Sequence, residues 1–279
     1  MKIAVTGATG GFGSELCKLI ESKKPEWELV GLTRFVHDLR DLTGTTNVIK
    51  GINPDIVIHA AAMTNVDGCE TDNLLAKEVN IEGARAVAEG AKLAGAKMVF
   101  ISSDYVFDGS NDEPYVESDQ INPINYYGMT KQKGEEATLE LEGSLVIRSS
   151  WLFGTVGSNF VKTMLLLAEK GEPIKVVNDQ IGSPTYYPHL AAGVLKAIEN
   201  DTSGILHITN AGYCSWYDFA LEVLKIRGVN IKVTPVTSDE YKTPAKRPKN
   251  SRLDCGRYIE IAGEPLPDWR DALKEYLDA

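Results

Sequence analysis

The sequence predicts an α/β protein built on a doubly wound parallel sheet, with a smaller, mostly helical C-terminal lobe. Three observations carry that prediction. Short β-branched runs alternate with longer helical stretches through residues 1–150, which is the pattern of βαβ units. A glycine-rich turn joins the first strand to the first helix. Beyond residue 150 the alternation lapses, and helical stretches are separated by loops containing Pro and Gly.

KIAVT at 2–6 is a short apolar run ending at a glycine and reads as a buried strand. Residues 11–23 follow as a helix. WELVGLT at 27–33 and DIVIHAA at 55–61 repeat the strand pattern, and 73–94 is a long Ala-rich helix. KMVFISS at 97–103 is the next strand, 126–141 the next helix, and SLVIRSS at 144–150 the strand after it. Right-handed crossovers turn such a series into a doubly wound sheet. Later helices are expected at 158–170, 189–200 and 215–228, with the strand ILHIT at 205–209 assigned to the smaller lobe. No low-complexity linker and no internal repeat separates the halves. They are therefore expected to pack closely, with a ligand cleft between them.

Composition narrows the function. Apolar residues make up 43% and charged residues 24%, a globular balance. A formal net charge of −10 argues against a nucleic-acid partner, because binding phosphate backbones needs a basic face. The first strand starts almost at Met1 and no apolar run is long enough to span a bilayer. A cytoplasmic protein with no membrane partner is expected. Cys17, Cys69, Cys214 and Cys255 lie far apart without metal-ligand or disulfide spacing, and no histidine pair has ligand spacing, so no metal is expected. Positive charge is concentrated locally: Lys242, Lys246, Arg247, Lys249 and Arg252 fall within eleven residues. This cluster reads as an anion site, against the plainer alternative of a solvated loop.

Gly7, Gly10 and Gly13 form a G-x-x-G-x-x-G turn between strand and helix. Gly7 permits the tight turn, Gly10 lets backbone amides approach a pyrophosphate, and Gly13 lets the helix pack on the strand. The helix N-terminus adds free N–H groups and a favourable dipole. The turn therefore marks residues 1–150 as a Rossmann-type NAD(P)-binding domain, with Thr9, Gly11 and Phe12 in the same turn. Residues 151–279 then form a substrate-binding lobe, part of which is expected to cross back to the first domain. The second strand ends Leu32-Thr33-Arg34 rather than in an acid, which slightly favours NADPH over NADH, an exposed loop arginine being nearly as good a reading. Asp38 and Leu39 are placed to flank the adenine.

Carbonyl reduction needs a hydride donor and an acid for the emerging alkoxide. A tyrosine hydroxyl, with an ordinary pKa of about 10, serves when a nearby ammonium stabilises its anion. Residues four apart on a helix share a face, and of eleven tyrosines only Tyr127 has a lysine four residues on, at Lys131. Ser103, at the end of the strand KMVFISS, is the candidate donor to the carbonyl oxygen, with Ser102 as the alternative. His59 and Trp216 read as packing residues.

These motifs, in this order, resemble the dTDP-4-dehydrorhamnose reductases of the extended short-chain dehydrogenases. The resemblance spans nearly the whole chain: TGATGGFG, HAAAMTNVDGCE, SSDYVFDG, NYYGMTKQKGE, IRSSWLFG, VVNDQIGSPT, HITNAGYCSWYDFA and TPAKRPKNSRLD. It implies reduction of the C4 keto group of a nucleoside-diphosphate sugar, dTDP-4-dehydro-L-rhamnose, by NADPH or NADH. It also implies a triad of Ser103, Tyr127 and Lys131, and a cofactor wall formed by Ala60, Ala61 and Ala62 with Asn80 near the same site. Asp104, Tyr105, Trp151 and Arg247 would face the substrate, Arg247 pairing with its pyrophosphate. Two positions depart from the family pattern. Met63 stands where HAAAYT carries Tyr, and Ser103 stands where STD carries Thr and keeps the hydroxyl. Two other readings stay open: a nucleotide-sugar epimerase or dehydratase, and a catalytically silent regulatory subunit resembling the β-subunit of methionine adenosyltransferase. A homodimer is the assembly considered.

Overall fold

The computed structural model describes residues 1–35, 37–171 and 173–279. Its frame is a six-stranded sheet containing β1 (Lys2–Thr6), β2 (Glu28–Leu32), β3 (Ile56–His59), β4 (Lys97–Ile101) and β5 (Leu145–Arg148), together with the strand Gly204–His207. Every pairing is parallel, and the order across the sheet runs Gly204–His207, β5, β4, β3, β1, β2. The chain winds outward from β1 to β2, then returns to place β3 on the other side of β1. That reversal opens a crevice beyond the C-terminal ends of β1 and β3.

Strands covered on both faces must be apolar throughout, and Ile3, Ala4 and Val5 of β1 are all fully buried. Alternate side chains go to opposite faces. Ile3, Val5, Ile58, Val99 and Ile147 meet Leu16 and Ile20 of the helix Gly11–Lys23 and Leu190 and Val194 of the helix Tyr187–Glu199. Ala4, Val57, Met98, Phe100 and Val146 meet Ile49 of the helix Leu42–Ile52 and Val87 and Ala91 of the helix Gly83–Ala94. A separate aromatic core, built from Trp151, Phe153, Phe219 and Trp269, holds the smaller lobe. The helix Trp216–Ile226 starts there with a capping box between Ser215 and Asp218.

Several expectations are corrected. The strand assigned to the smaller lobe at 205–209 instead extends the main sheet, pairing with β5 from Gly204 to His207. Its apolar residues, Ile205 and Leu206, fit a doubly covered strand as well as any lobe position. The helix expected at 73–94 is broken into Asn73–Ala76, a π-helical turn at Lys77–Glu82, and Gly83–Ala94. The helix Leu42–Ile52 is additional to those expected, because its Thr- and Gly-rich sequence has weak intrinsic propensity. It is held by the Asp41 side chain, which accepts from Gly44 N, and by the left-handed Asn53 at its end. Helices Gly256–Ala262 and Trp269–Asp278 are likewise additional.

The turn after β1 is tight. A Cβ on Gly13 would lie 2.2 Å from the Gly7 carbonyl oxygen, a backbone atom that cannot swing aside. The substitution Gly13→Ala should therefore lower stability by about 1–3 kcal/mol, read as a shifted urea midpoint. A variant melting with the wild type would contradict this account of the turn.

Candidate active site

A cleft of about 460 Å³ opens where the sheet reverses. Its floor is the glycine turn, with Gly7, Thr9, Gly10, Gly11, Phe12 and Gly13 all on the surface. Gly7 adopts φ +71°, and a Cβ there would stand 2.8 Å from Ala61 N, so the turn and the wall beside it close on one another. Among the described residues no side chain caps the helix Gly11–Lys23, and its first turn carries no acid. Its leading N–H groups are therefore available to an anion. Gly11 also makes room for a neighbour, since a Cβ would come within 2.6 Å of the Tyr187 ring, which enters the cleft from the C-terminal half. Nothing in the sequence pattern marks Tyr187 or its neighbour in the cleft, Leu152.

Arg34, Asp38 and Leu39 line the end of the cleft beyond β2. Arg40, also on this surface, grips Asp38 through Nε and Nη2 at 2.6–3.1 Å. That hydrogen bonding holds the Asp38 carboxyl down at about 2. Beside them His37 bonds Thr45 at 2.6 Å and faces the same space.

Ala60, Ala61, Ala62 and Met63 form the opposite wall. Asn80, expected close to the cofactor, lies behind this wall and is 3% exposed. Its Oδ1 accepts from Met63 N at 2.7 Å, and its Nδ2 donates to Met63 O at 3.1 Å and to Thr130 Oγ1 at 3.0 Å. The π-helical turn carries it there. One side chain thus ties the wall to the helix Tyr126–Leu139. His59, ending β3, is buried against Phe100 and bonded to Thr6 Oγ1 at 2.6 Å. Burial and the nearby Lys131 charge hold it neutral, its pKa pushed down to about 3.

The helix Tyr126–Leu139 is aimed by its N-terminus. The Asn125 side chain accepts from Gly128 N at 2.8 Å and donates to Lys246 O at 2.8 Å. Glu70 accepts from Tyr126 N at 2.9 Å. A Cβ on Gly128 would fall 2.0 Å from Tyr105 O, so the helix presses directly on the Asp104–Val106 turn. Tyr127 and Lys131 consequently both face the cleft. Burial, and then the neighbouring Asp104 charge, raise the Tyr127 phenol well above its ordinary range, while a hydrogen bond with Ser103 opposes that rise. Lys131 Nζ lies 4.2 Å from the Phe100 ring centroid. Burial depresses its pKa to about 8 against the opposing pull of Glu135.

The two serines divide their work. Ser102 reaches the cleft and donates to Glu135 Oε1 at 2.5 Å. Ser103 is set back from the cleft lining, contacting Tyr127 and donating to Asp104 Oδ1 at 2.9 Å. Asp104 is 2% exposed, its Oδ2 has no partner among the described residues, and burial raises its carboxyl to about 7. Tyr105 is buried edge-on to Tyr127, centroids 6.1 Å apart.

Trp151 and Arg247 stand outside the cleft lining. Trp151, at φ +49°, stacks on Trp216 at 3.6 Å within the smaller lobe's core. Arg247 is held by Asp67 at 2.9 and 3.1 Å and also reaches the Tyr105 hydroxyl. Elsewhere in the basic cluster, Lys249 lies 3.8 Å from Asp179 and Arg252 turns to Asn250, so three of its five cations meet separate partners. The four cysteines are free thiols. Among the described residues no group of His, Cys, Asp and Glu could hold a metal ion, and no helix is long and apolar enough to cross a membrane.

A parallel sheet reversing at a glycine turn, with Tyr and Lys one helical turn apart at its mouth, defines an oxidoreductase of the extended short-chain class. Within it, the chain belongs to the family described as the RmlD substrate binding domain, matched over residues 1–279. It is 42% identical over 277 residues to the spore coat polysaccharide biosynthesis protein SpsK of Bacillus subtilis, covering 99% of this chain and 96% of that one. It is 38% identical to a dTDP-4-dehydrorhamnose reductase of Burkholderia thailandensis, covering 98% and 97%. The solved dTDP-4-dehydrorhamnose reductase of Bacillus anthracis, in complex with NADP, superimposes with a TM-score of 0.93 at 37% identity, covering 99% and 98%.

If Asn80 fixes the wall, Asn80→Ala frees the part-buried N–H and C=O of Met63 and should weaken dinucleotide binding by about 0.5–1.5 kcal/mol, the worth of one ordering hydrogen bond. Fluorescence titration measures it, and undiminished affinity would show that the wall does not depend on Asn80.

Proposed function

We propose that this chain reduces the C4 keto group of dTDP-4-dehydro-L-rhamnose to give dTDP-L-rhamnose, using NADPH or NADH. The observation that carries the reading is Tyr127 and Lys131 facing one cleft with the Gly7–Gly13 turn. The relatives named for this reaction and the NADP-bound neighbour support the choice of substrate and cofactor.

The residues present suit a dinucleotide. The uncapped helix N-terminus and the space left by glycines whose Cβ atoms would collide accommodate a pyrophosphate. Ala60 to Ala62 offer an apolar wall, and Arg34, on the same cleft surface, would meet a 2′-phosphate. When bound, the dinucleotide supplies the hydride. Tyr127 gives its hydroxyl proton to the oxygen of the reduced carbonyl, and Ser103 orients that oxygen. The Lys131 ammonium stabilises the resulting tyrosinate and favours its reprotonation from solvent. Asp104, Tyr105, Trp151 and Arg247 are assigned to the sugar nucleotide, with Arg247 exchanging Asp67 for the diphosphate. Within this reading the enzyme works in the cytoplasm on a small diffusible substrate, without nucleic acid or membrane.

The direct test adds enzymatically prepared dTDP-4-dehydro-L-rhamnose to enzyme and NADPH, then NADH, and follows cofactor absorbance. Substrate-dependent oxidation is expected. Conversion of the sugar without net oxidation would point to an epimerase or dehydratase. Cofactor binding without any turnover would point to the regulatory subunit. Tyr127→Phe should lower kcat by about 10²–10⁴-fold, the usual contribution of a general acid, while leaving dinucleotide affinity nearly intact. A variant of unchanged kcat would sink the assignment.

The pH dependence has a definite sign. Lys131 carries its ammonium below its pKa of about 8 and loses it above. Reductive kcat/KM should therefore be sustained on the acid side of that value and fall as pH rises through it. A profile that stays level well into the alkaline range would exclude Lys131 as the tuning charge.

A further inference from the structure

Glu135 has no part in the chemistry described so far, yet it occupies the most constrained position near it. Tyr127, Lys131 and Glu135 follow one another at intervals of four along the helix Tyr126–Leu139, and so share one face. The Glu135 and Arg148 side chains are each 2% exposed. Arg148 Nη2 and Nε, from β5, donate to the two carboxylate oxygens at 2.7 and 2.9 Å. Ser102, whose residue lines the cleft, donates to the same carboxylate at 2.5 Å. A buried carboxylate is costly to desolvate, and this one lies about one helical turn from Lys131, which the proposed reaction needs charged. The guanidinium is turned away from the cleft, where Glu117 O and His207 also meet it.

We propose that Glu135 is a positioning residue for the reduction, holding the Lys131 ammonium charged inside an apolar wall and fixing Ser102 at the cleft floor, with Arg148 setting how much of its charge Lys131 feels. The proposal rests on the reductase reading for its catalytic consequence, although its electrostatic core does not. The other groups facing Lys131 are poorly suited to this role. His59, from β3, is neutral and buried. Cys69, from the helix Val66–Thr71, is kept a thiol, burial raising it to about 11. Tyr127, on the same helix, is protonated before it acts, and Phe100, from β4, offers a ring face without a charge. Glu135 is left as the anion that can keep Lys131 protonated at neutral pH.

The experiment measures the titration of Lys131 directly in the substrate-free protein. The rate at which a water-soluble succinimidyl ester acylates Lys131 is followed by peptide mass spectrometry across pH. Glu135→Gln removes the anion and leaves the guanidinium unpaired, so the Lys131 midpoint should fall by about one pH unit, the scale of a nearby charge. The double variant Glu135→Gln with Arg148→Met removes both charges and leaves no lone buried ion, which folded proteins tolerate better. Its midpoint should lie between those of the wild type and Glu135→Gln, and Glu135→Asp should restore the wild-type value. The alkaline limb of kcat/KM should shift in the same order. A Lys131 midpoint unmoved in Glu135→Gln overturns the proposal. Should that variant fail to fold, a wild-type midpoint in the double variant does the same. If the midpoints move as expected while the wild type reduces nothing, the reductase reading fails and the charge coupling stands.

Discussion

The proposed reduction depends on one constraint, an ammonium that must stay charged where water is scarce. Lys131 is 4% exposed and packed on the Phe100 ring, so burial works against its charge. Much of the neighbouring sequence follows from managing that cost. The Phe100 ring offers the face of a π-system to the cation. Glu135 supplies a countercharge one turn away, itself stabilised by Arg148. Gly134 has no Cβ because one would strike the Phe100 ring at 2.3 Å. The helix is thereby pressed onto β4 between Lys131 and Glu135 in sequence.

The second dependence is on the return of the chain. The C-terminal half contributes a sheet strand at Gly204–His207, the helix Tyr187–Glu199 that covers one face, and Tyr187 over the glycine turn. The loop carrying Arg247 is tied to Asp67 of the first half, and Lys246 O receives the Asn125 side chain. The helix that carries Tyr127 and Lys131 is thus aimed by contacts from a segment more than a hundred residues away in sequence. Division into a cofactor half and a substrate half describes the roles proposed for the residues better than it describes the packing.

The sheet is legible in the sequence because its strands are doubly covered and therefore apolar throughout, and because the glycine turn has a steric signature. The Tyr127–Lys131 pair is legible because helical spacing is a local rule. Asn80 can be read only as near the site, since its bonds to both polar groups of Met63 depend on a π-helical turn that periodicity does not announce. Tyr187 gives no signal, because its place in the cleft comes from the crossing of the second half. Helix Leu42–Ile52 is hidden by residues of weak propensity and exists through caps and the packing of Ile49. The basic run at 242–252 shows the limit of adjacency in sequence: Arg247, Lys249 and Arg252 stand within six residues yet turn to three different partners.

A reductase of this kind delivers hydride to the C4 carbon of a nucleotide sugar and does not take it back. Incubating the enzyme with NADPH deuterated at the transferring position and dTDP-4-dehydro-L-rhamnose, then examining the sugar by NMR, tests that most directly. One deuterium at C4 of dTDP-L-rhamnose is expected, with one oxidised cofactor for each molecule formed. A converted sugar carrying no deuterium, with the NADPH unconsumed, would contradict it.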